Sequence, residues 1–309
     1  MIYRSRMSRQ INESQALWAI IAVITGVDVL WAWSSGIRVV LSSAVMFGFF
    51  LTVGINLVYT TLRPDRRIAA FAQASAQLLA FTASGAILSY LTVTSRFPLV
   101  DRYLAAADAA IGFDWLSMFT WVQNHPVIDR VLGLSYGSGM LQIGTILVVL
   151  NIVGQLERVR EFIWLFVLTL LIVIPLSWLF PAESAWVYFG VTDRADAYHL
   201  ADFTALRAGH MPEISISQVN GLITFPSFHA ALGLMLIYAS RGIRILFPLS
   251  LSLNALMIAS TPSSGGHYLV DILAGLAVML LAIFILRSWQ GEPSERLVVA
   301  VNSMSPLRD

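Results

Sequence analysis

Two short segments carry side chains that could do chemistry. One reads Gly221-Leu222-Ile223-Thr224-Phe225-Pro226-Ser227-Phe228-His229-Ala230, the other Ser264-Gly265-Gly266-His267-Tyr268-Leu269-Val270-Asp271. Each stands where a long apolar run begins, so each is expected at a helix N-terminus. Such ends present unpaired backbone N–H groups and a partial positive charge, which suits an anion such as phosphate. Pro226 and the Gly265-Gly266 pair fit tight backbone approach there, and the Ser227 hydroxyl adds a donor. His267 and Asp271 are four apart, which predicts one shared helix face. The carboxylate can hold one ring nitrogen protonated and leave the other free to attack. His229 is then placed to give a proton to a leaving oxygen. A nucleophilic histidine and a general acid suffice for phosphoryl transfer without a metal.

Plainer readings exist for each residue alone. A single histidine at a helix end often caps it, and Asp271 could simply pair with an arginine. An ionisable group inside an apolar span is nevertheless a functional candidate by default, and two such helix starts on one side reinforce each other. Asp28, in mid-span, has no partner legible in sequence. His199, His210 and nearby aspartates fit no regular ligand spacing, so neither a metal nor a cofactor is expected.

The elements that must position these residues follow from composition. The 309 residues are 57% hydrophobic and 12% charged, half the charge of an ordinary soluble domain. A net charge of +1 offers no field for a polyanion, so no nucleic-acid partner is expected. There is no cysteine, which excludes disulfides and thiolate chemistry. All 19 basic residues are arginine, which excludes Schiff-base and phosphate-loop lysines.

A bilayer core takes roughly 20 apolar residues of helix. Eight stretches qualify: 17–37, 39–62, 68–95, 131–156, 162–182, 222–240, 245–266 and 267–286. The fold expected is therefore a single all-α polytopic membrane bundle of about eight transmembrane helices with an extracytoplasmic cap. A cytoplasmic leader spans 1–16, catalytic helices 222–287, and a cytoplasmic tail 288–309. Alternating sides from a cytoplasmic N-terminus leaves thirteen arginines inside and six outside, which favours N-in and C-in. Two long connections then lie outside. Residues 96–130 are aromatic-rich and read as an interfacial segment. Residues 183–221 read as an ordered cap, because Trp186, Tyr188 and Phe189 can anchor it.

At these residues the chain resembles a known family. Phe-Pro-Ser-Phe-His at 225–229, followed 38 residues after His229 by the His267 of Gly-His-Tyr-Leu-Val-Asp (266–271), is similar to the second and third signatures of the type-2 phosphatidic acid phosphatase superfamily. The wording is closest to the branch containing inositolphosphorylceramide synthase. The resemblance implies that His267 is the nucleophile forming a phosphohistidine, Asp271 its orienting carboxylate, His229 the general acid and Ser227 a phosphate-binding hydroxyl. Gly266 joins the phosphate-binding set. Two departures stand out. The usual third signature has an arginine six residues before the nucleophile, where this chain has Thr261. The usual first signature begins with lysine, which is absent; the one lookalike, Asn56 to Arg63-Pro64, falls on the inner side. The phosphate's arginine must come from elsewhere, with Arg207 the first choice and Arg194 the second; a surface ion pair with Asp202 or Glu213 explains either as well.

Three functions follow as expectations. The first is a membrane phosphatase acting on a lipid-linked phosphate at the outer face, with water resolving the intermediate. The second transfers a phospholipid headgroup to a lipid or sugar hydroxyl. The third, of another class, is a lipid transporter or flippase. The expected partners are a lipid phosphate or phospholipid and the surrounding membrane lipids. The expected setting is a bacterial inner membrane with a periplasmic site.

Overall fold

The computed structural model describes residues 2–195 and 197–290, with side chains from residue 13 to 289. The leader arginines Arg4, Arg6 and Arg9, and the tail beyond residue 290, lie outside what can be described in full. The order of elements is α1 (Ile2–Ser34), β1 (Arg38–Val40), α2 (Ser43–Thr61), α3 (Arg66–Val93), α4 (Asp101–Ala110), α5 (Trp115–Gln123), α6 (Pro126–Gly137), α7 (Gly139–Ile152), α8 (Leu156–Leu179), α9 (Ala185–Tyr188), α10 (His199–Ala208), β2 (Glu213–Ser215), α11 (Phe228–Ser240), α12 (Leu246–Ser264) and α13 (Leu269–Gln290).

The described residues are all-α apart from one two-stranded parallel ladder. In it β1 pairs with β2, Val39 opposite Ile214. That ladder, with the Arg38–Glu213 ion pair, ties the end of α1 to the 183–221 connection. α3, α8, α11 and α13 pack around one apolar core in which Phe81, Phe162, Ile163 and Leu236 are buried. α2 buries none of its residues; its apolar side chains face outward, as expected of a lipid-facing helix.

Among the described residues five helices are long and apolar enough to cross a membrane, and six if α6 and α7 count as one span bent by 51°. The remaining two expected spans differ from their sequence outline. α11 starts at Phe228, six residues later than the apolar run, because Pro226 and the capping Ser227 stop the helix from extending backwards. Its 13 residues rise about 20 Å, short of a hydrocarbon core of about 30 Å. α12 has the length, but turns Ser250, Asn254, Ser260 and Thr261 inward, all buried, which lowers its overall hydropathy. The α6–α7 bend falls at Ser138, between Gly137 and Gly139, where the Ser138 hydroxyl donates to the Ser135 carbonyl.

The 96–130 segment departs from a simple interfacial stretch. α4 and α5 turn Asp101, Asp108, Trp115 and Phe119 inward, and Trp115 and Phe119 join Ala185, Trp186 and Tyr268 in a smaller apolar core beside the His267 turn. Only part of it, such as the exposed Trp121, has the character of an interfacial anchor.

Candidate active site

The α13 start is built by reach-back bonding. His267 precedes the helix rather than lying on its face. Asp271, in the first turn, returns its Oδ2 to accept the Tyr268 backbone N–H at 2.9 Å, as the third helical residue does in a capping box. The same carboxylate then stands 3.4 Å from His267 Nδ1. The four-residue spacing therefore brings the pair together by a different route from a shared helical face. That contact is not aligned as a hydrogen bond, and Asp271 Oδ1 also has no partner.

Three residues hold this turn from a distance in sequence. Asp108 of α4 accepts the Leu269 N–H at 2.8 Å and the Val270 N–H at 2.9 Å, satisfying the first two orphan donors of α13. Asp101 accepts the Tyr268 hydroxyl at 3.0 Å, and also the Glu183 and Ser184 N–H groups at 3.0 and 3.2 Å. Trp115 Nε1 donates to the His267 carbonyl at 2.9 Å. Burial pushes the Asp101 and Asp108 carboxyls above their ordinary values, against the pull of these donors. The sequence placed both aspartates in an outer segment without a role; their seven-residue spacing on one helix face was the available signal.

The α11 start is strapped to α13. Ser227 N–H donates to the Asp271 backbone carbonyl at 3.0 Å. Its Oγ caps α11 by accepting the Ala230 N–H at 3.3 Å. The helices approach so closely here that a Cβ on Gly275 would lie 2.1 Å from the Ser227 carbonyl oxygen. The approach sets Ser227 Oγ 3.5 Å from His267 Nε2. His229, one residue into α11, stacks on Tyr136 at 4.1 Å and 21°, and so is oriented by α6 just before the α6–α7 bend.

His229 and His267 line one cavity of about 450 Å³, with Tyr136, His199, Asn220 and Gly265 also on its wall. Gly265 rather than Gly266 is the lining glycine. Gly266 adopts φ 65°, accepts the Ala185 N–H on its carbonyl oxygen at 2.7 Å, and faces Trp186 where a Cβ would sit 2.7 Å from the indole. Ser227 and Asp271 lie behind the wall, both fully buried.

Neither expected arginine reaches this cavity. Arg207 is at the C-terminal end of α10, where it donates to the Phe97 carbonyl at 3.1 Å and overlies the Phe203 ring. Arg194 stands over Phe119, 5.5 Å from the ring centre. The end of α10 that does face the cavity is its N-terminus, with Tyr198 and His199. No arginine lines the cavity among the described residues. His199 packs beside Trp186 at 5.8 Å. Burial holds its imidazole below its ordinary value; a hydrogen bond to the Glu183 carbonyl and the Asp202 charge pull the other way. Asp202 is itself fixed by Tyr90 Oη at 2.6 Å and Asn220 Nδ2 at 3.1 Å. Among the described residues no group of three histidine or acidic side chains is arranged to hold a metal ion.

The arrangement offers a histidine backed by a carboxylate, a second histidine on the same cavity, and the starts of α10 and α11 on its wall, whereas the α13 start spends its N–H groups on Asp108 and Asp271. No curated protein and no solved structure matches the chain. The family model of the PAP2 superfamily, however, matches residues 102–285, from α4 through both histidine-bearing helix starts to α13, and the chain belongs to that superfamily.

Proposed function

We propose that this integral membrane protein is a phosphatase or phosphotransferase that cleaves a lipid-linked phosphate ester through a phosphohistidine on His267. The observation that carries the reading is that His229 and His267 face one cavity while Asp271 stands 3.4 Å behind His267 Nδ1. His267 Nε2 attacks phosphorus and the bond to the leaving oxygen breaks. His229, as imidazolium, gives that oxygen its proton. Asp271 supports the positive charge that grows on the His267 ring. Water or an acceptor hydroxyl then attacks phosphorus, His229 takes the proton from it, and the P–N bond breaks. The non-bridging oxygens are received by the α11 and α10 N-termini and a protonated His199, while Ser227 Oγ stays behind the wall as the α11 cap. Preorganised donors of this kind are typically worth about 3–4 kcal/mol each. No step calls for a metal, so turnover is expected to survive chelation. The lipid tail enters from the bilayer, and the site opens on the periplasmic side of a bacterial inner membrane.

Transfer to a lipid or sugar hydroxyl is the second reading. It draws support from the apolar lower wall, where Phe166, Leu170 and Phe228 would exclude water from the intermediate. A transporter or flippase reading has less support: among the described residues Asp28 alone is a buried carboxylate deep in α1 without a hydrogen-bond partner.

The deciding experiment incubates purified protein with phosphate-labelled lipid phosphates and phospholipids, half the samples holding a lipid acceptor. Label released as inorganic phosphate and abolished in His267→Ala is the expected phosphatase result. Label carried onto the acceptor without free phosphate establishes the transferase. Equal label movement in His267→Ala would falsify the phosphohistidine route.

A further inference from the structure

A second cavity, of about 550 Å³, opens between the N-terminal parts of α1, α3 and α8. It lies toward the opposite end of α3 and α8 from the histidines: residues 66–77 of α3 line it, whereas residues 82–89 line the catalytic cavity. Phe81 and Phe166 close the space between, meeting edge to face at 6.2 Å, and Phe166 meets Phe228 at 5.5 Å. Both Phe81 and Phe166 are buried, so the two cavities are separate compartments.

The chemistry of this cavity is that of an anion site. Three guanidinium groups line it, Arg66, Arg67 and Arg160, against two carboxylates, Glu13 and Glu157. Arg160 is already engaged by both, directly with Glu157 and at 3.9 Å with Glu13. Arg66 and Arg67 have no carboxylate partner among the described residues. Deeper in, Trp164 is 3% exposed, and its indole Nε1 has no acceptor. A buried N–H without an acceptor is rare and costly unless something supplies one. Gln77, also buried, spends its amide on Ser14 at 3.1 Å. The walls beyond these groups are apolar, with Leu17, Val159 and Ile163. Two uncommitted forked donors at the rim, one donor below and an apolar floor match a phosphate group carried on an amphiphile.

We propose that this cavity is a second, non-catalytic site for a phosphate-bearing headgroup. Arg66 and Arg67 grip the phosphate oxygens, and Trp164 Nε1 donates to the headgroup. A phospholipid of the leaflet at this end and a soluble phosphate ester share that chemistry. The site is independent of the phosphohistidine reading, because no group in it takes part in that reaction.

The test uses the full chain in detergent, with His267→Ala in every arm so that no ligand is consumed. Binding of dihexanoyl phosphatidylglycerol is counted by native mass spectrometry, with glycerol phosphate and phosphate-free dihexanoylglycerol in parallel. The expected result is an equivalent of phosphatidylglycerol that disappears in Arg66→Gln/Arg67→Gln and persists in Arg63→Gln, an exposed arginine of the same turn outside the cavity. Trp164→Phe, which keeps the ring and removes the donor, is expected to weaken that equivalent by roughly three- to tenfold. Retention by the lipid alone assigns the site to membrane phospholipid; equal retention of glycerol phosphate assigns it to a soluble ester. Unchanged stoichiometry in the double variant, or equal binding of dihexanoylglycerol, overturns the proposal. In a separate activity assay that retains His267, the double variant is expected to keep wild-type turnover, which separates this outcome from any failure at the catalytic cavity.

Discussion

At the residue scale the proposed chemistry concentrates on His267, whose two nitrogens face different environments. Nδ1 points to a buried carboxylate, and Nε2 to the Ser227 hydroxyl and the cavity. His267→Gln is expected to abolish turnover. Asp271→Asn should lower kcat by about 10²–10⁴-fold with little change in KM, since an amide can still orient the ring but cannot support its positive charge. A fall confined to KM would move Asp271 out of that role. His199 gives a pH signature. Burial holds its imidazole below the ordinary histidine value, so before phosphate binds it is neutral near neutral pH. A bound phosphate raises it, and binding then takes up a proton. The sign follows directly: affinity falls as pH rises, and KM climbs by up to about tenfold per unit while one proton is taken up. His229, His267, Tyr136 and Tyr198 share the cavity and add their own dependence, so the readout is the difference between wild type and His199→Gln. A flatter KM profile in the variant is expected; superimposable profiles would remove His199 from the phosphate.

At the element scale the site depends on how two helix starts are pinned. The α11–α13 contact has room for a hydrogen but not a methyl at position 275. The obstacle is the backbone carbonyl of Ser227, which cannot rotate away as a side chain would. Gly275→Ala is therefore expected to cost about 1–3 kcal/mol in thermal unfolding and to depress kcat by displacing Ser227. The α4–α13 cap makes a second test. Asp108→Ala leaves two helix N–H groups without acceptors and should lower stability by about 1–2 kcal/mol; an unchanged melting temperature would show that the cap contributes nothing. Much of this scale was hidden in the sequence. The reach of Asp108 to Leu269 spans 161 residues, and that of Tyr268 to Asp101 spans 167. No local periodicity reports on such pairs. The α6–α7 bend was equally hidden, since Gly137-Ser138-Gly139 interrupts an apolar run that reads as continuous.

At the scale of the whole molecule, composition and long apolar helices make the chain an integral membrane protein, and the family match fixes its class as phosphatase-like. Arginine placement predicts which face the site opens on, and the absence of cysteine makes that easy to check. A single cysteine at exposed Ala208, beside the α10 cap, is expected to react with an impermeant maleimide in intact cells. One at exposed Arg63 should react only after lysis. The reverse pattern would invert the topology and place the histidines on the cytoplasmic side.

The sequence alone determined the membrane class, the two histidine-bearing helix starts and the pairing of His267 with Asp271. These rest on composition or on spacings of a few residues, where covalent geometry leaves few outcomes. Tertiary structure decided which groups surround the substrate space. It turned the N-terminus of α10 inward with His199 and its C-terminus outward with Arg207. It made Asp101 and Asp108 into supports for the His267 turn. It also divided the bundle into two cavities at Phe81 and Phe166. The physical reason is the same in each case: a helix presents different faces and ends to different neighbours, and only packing of elements far apart in the chain selects which of them meet.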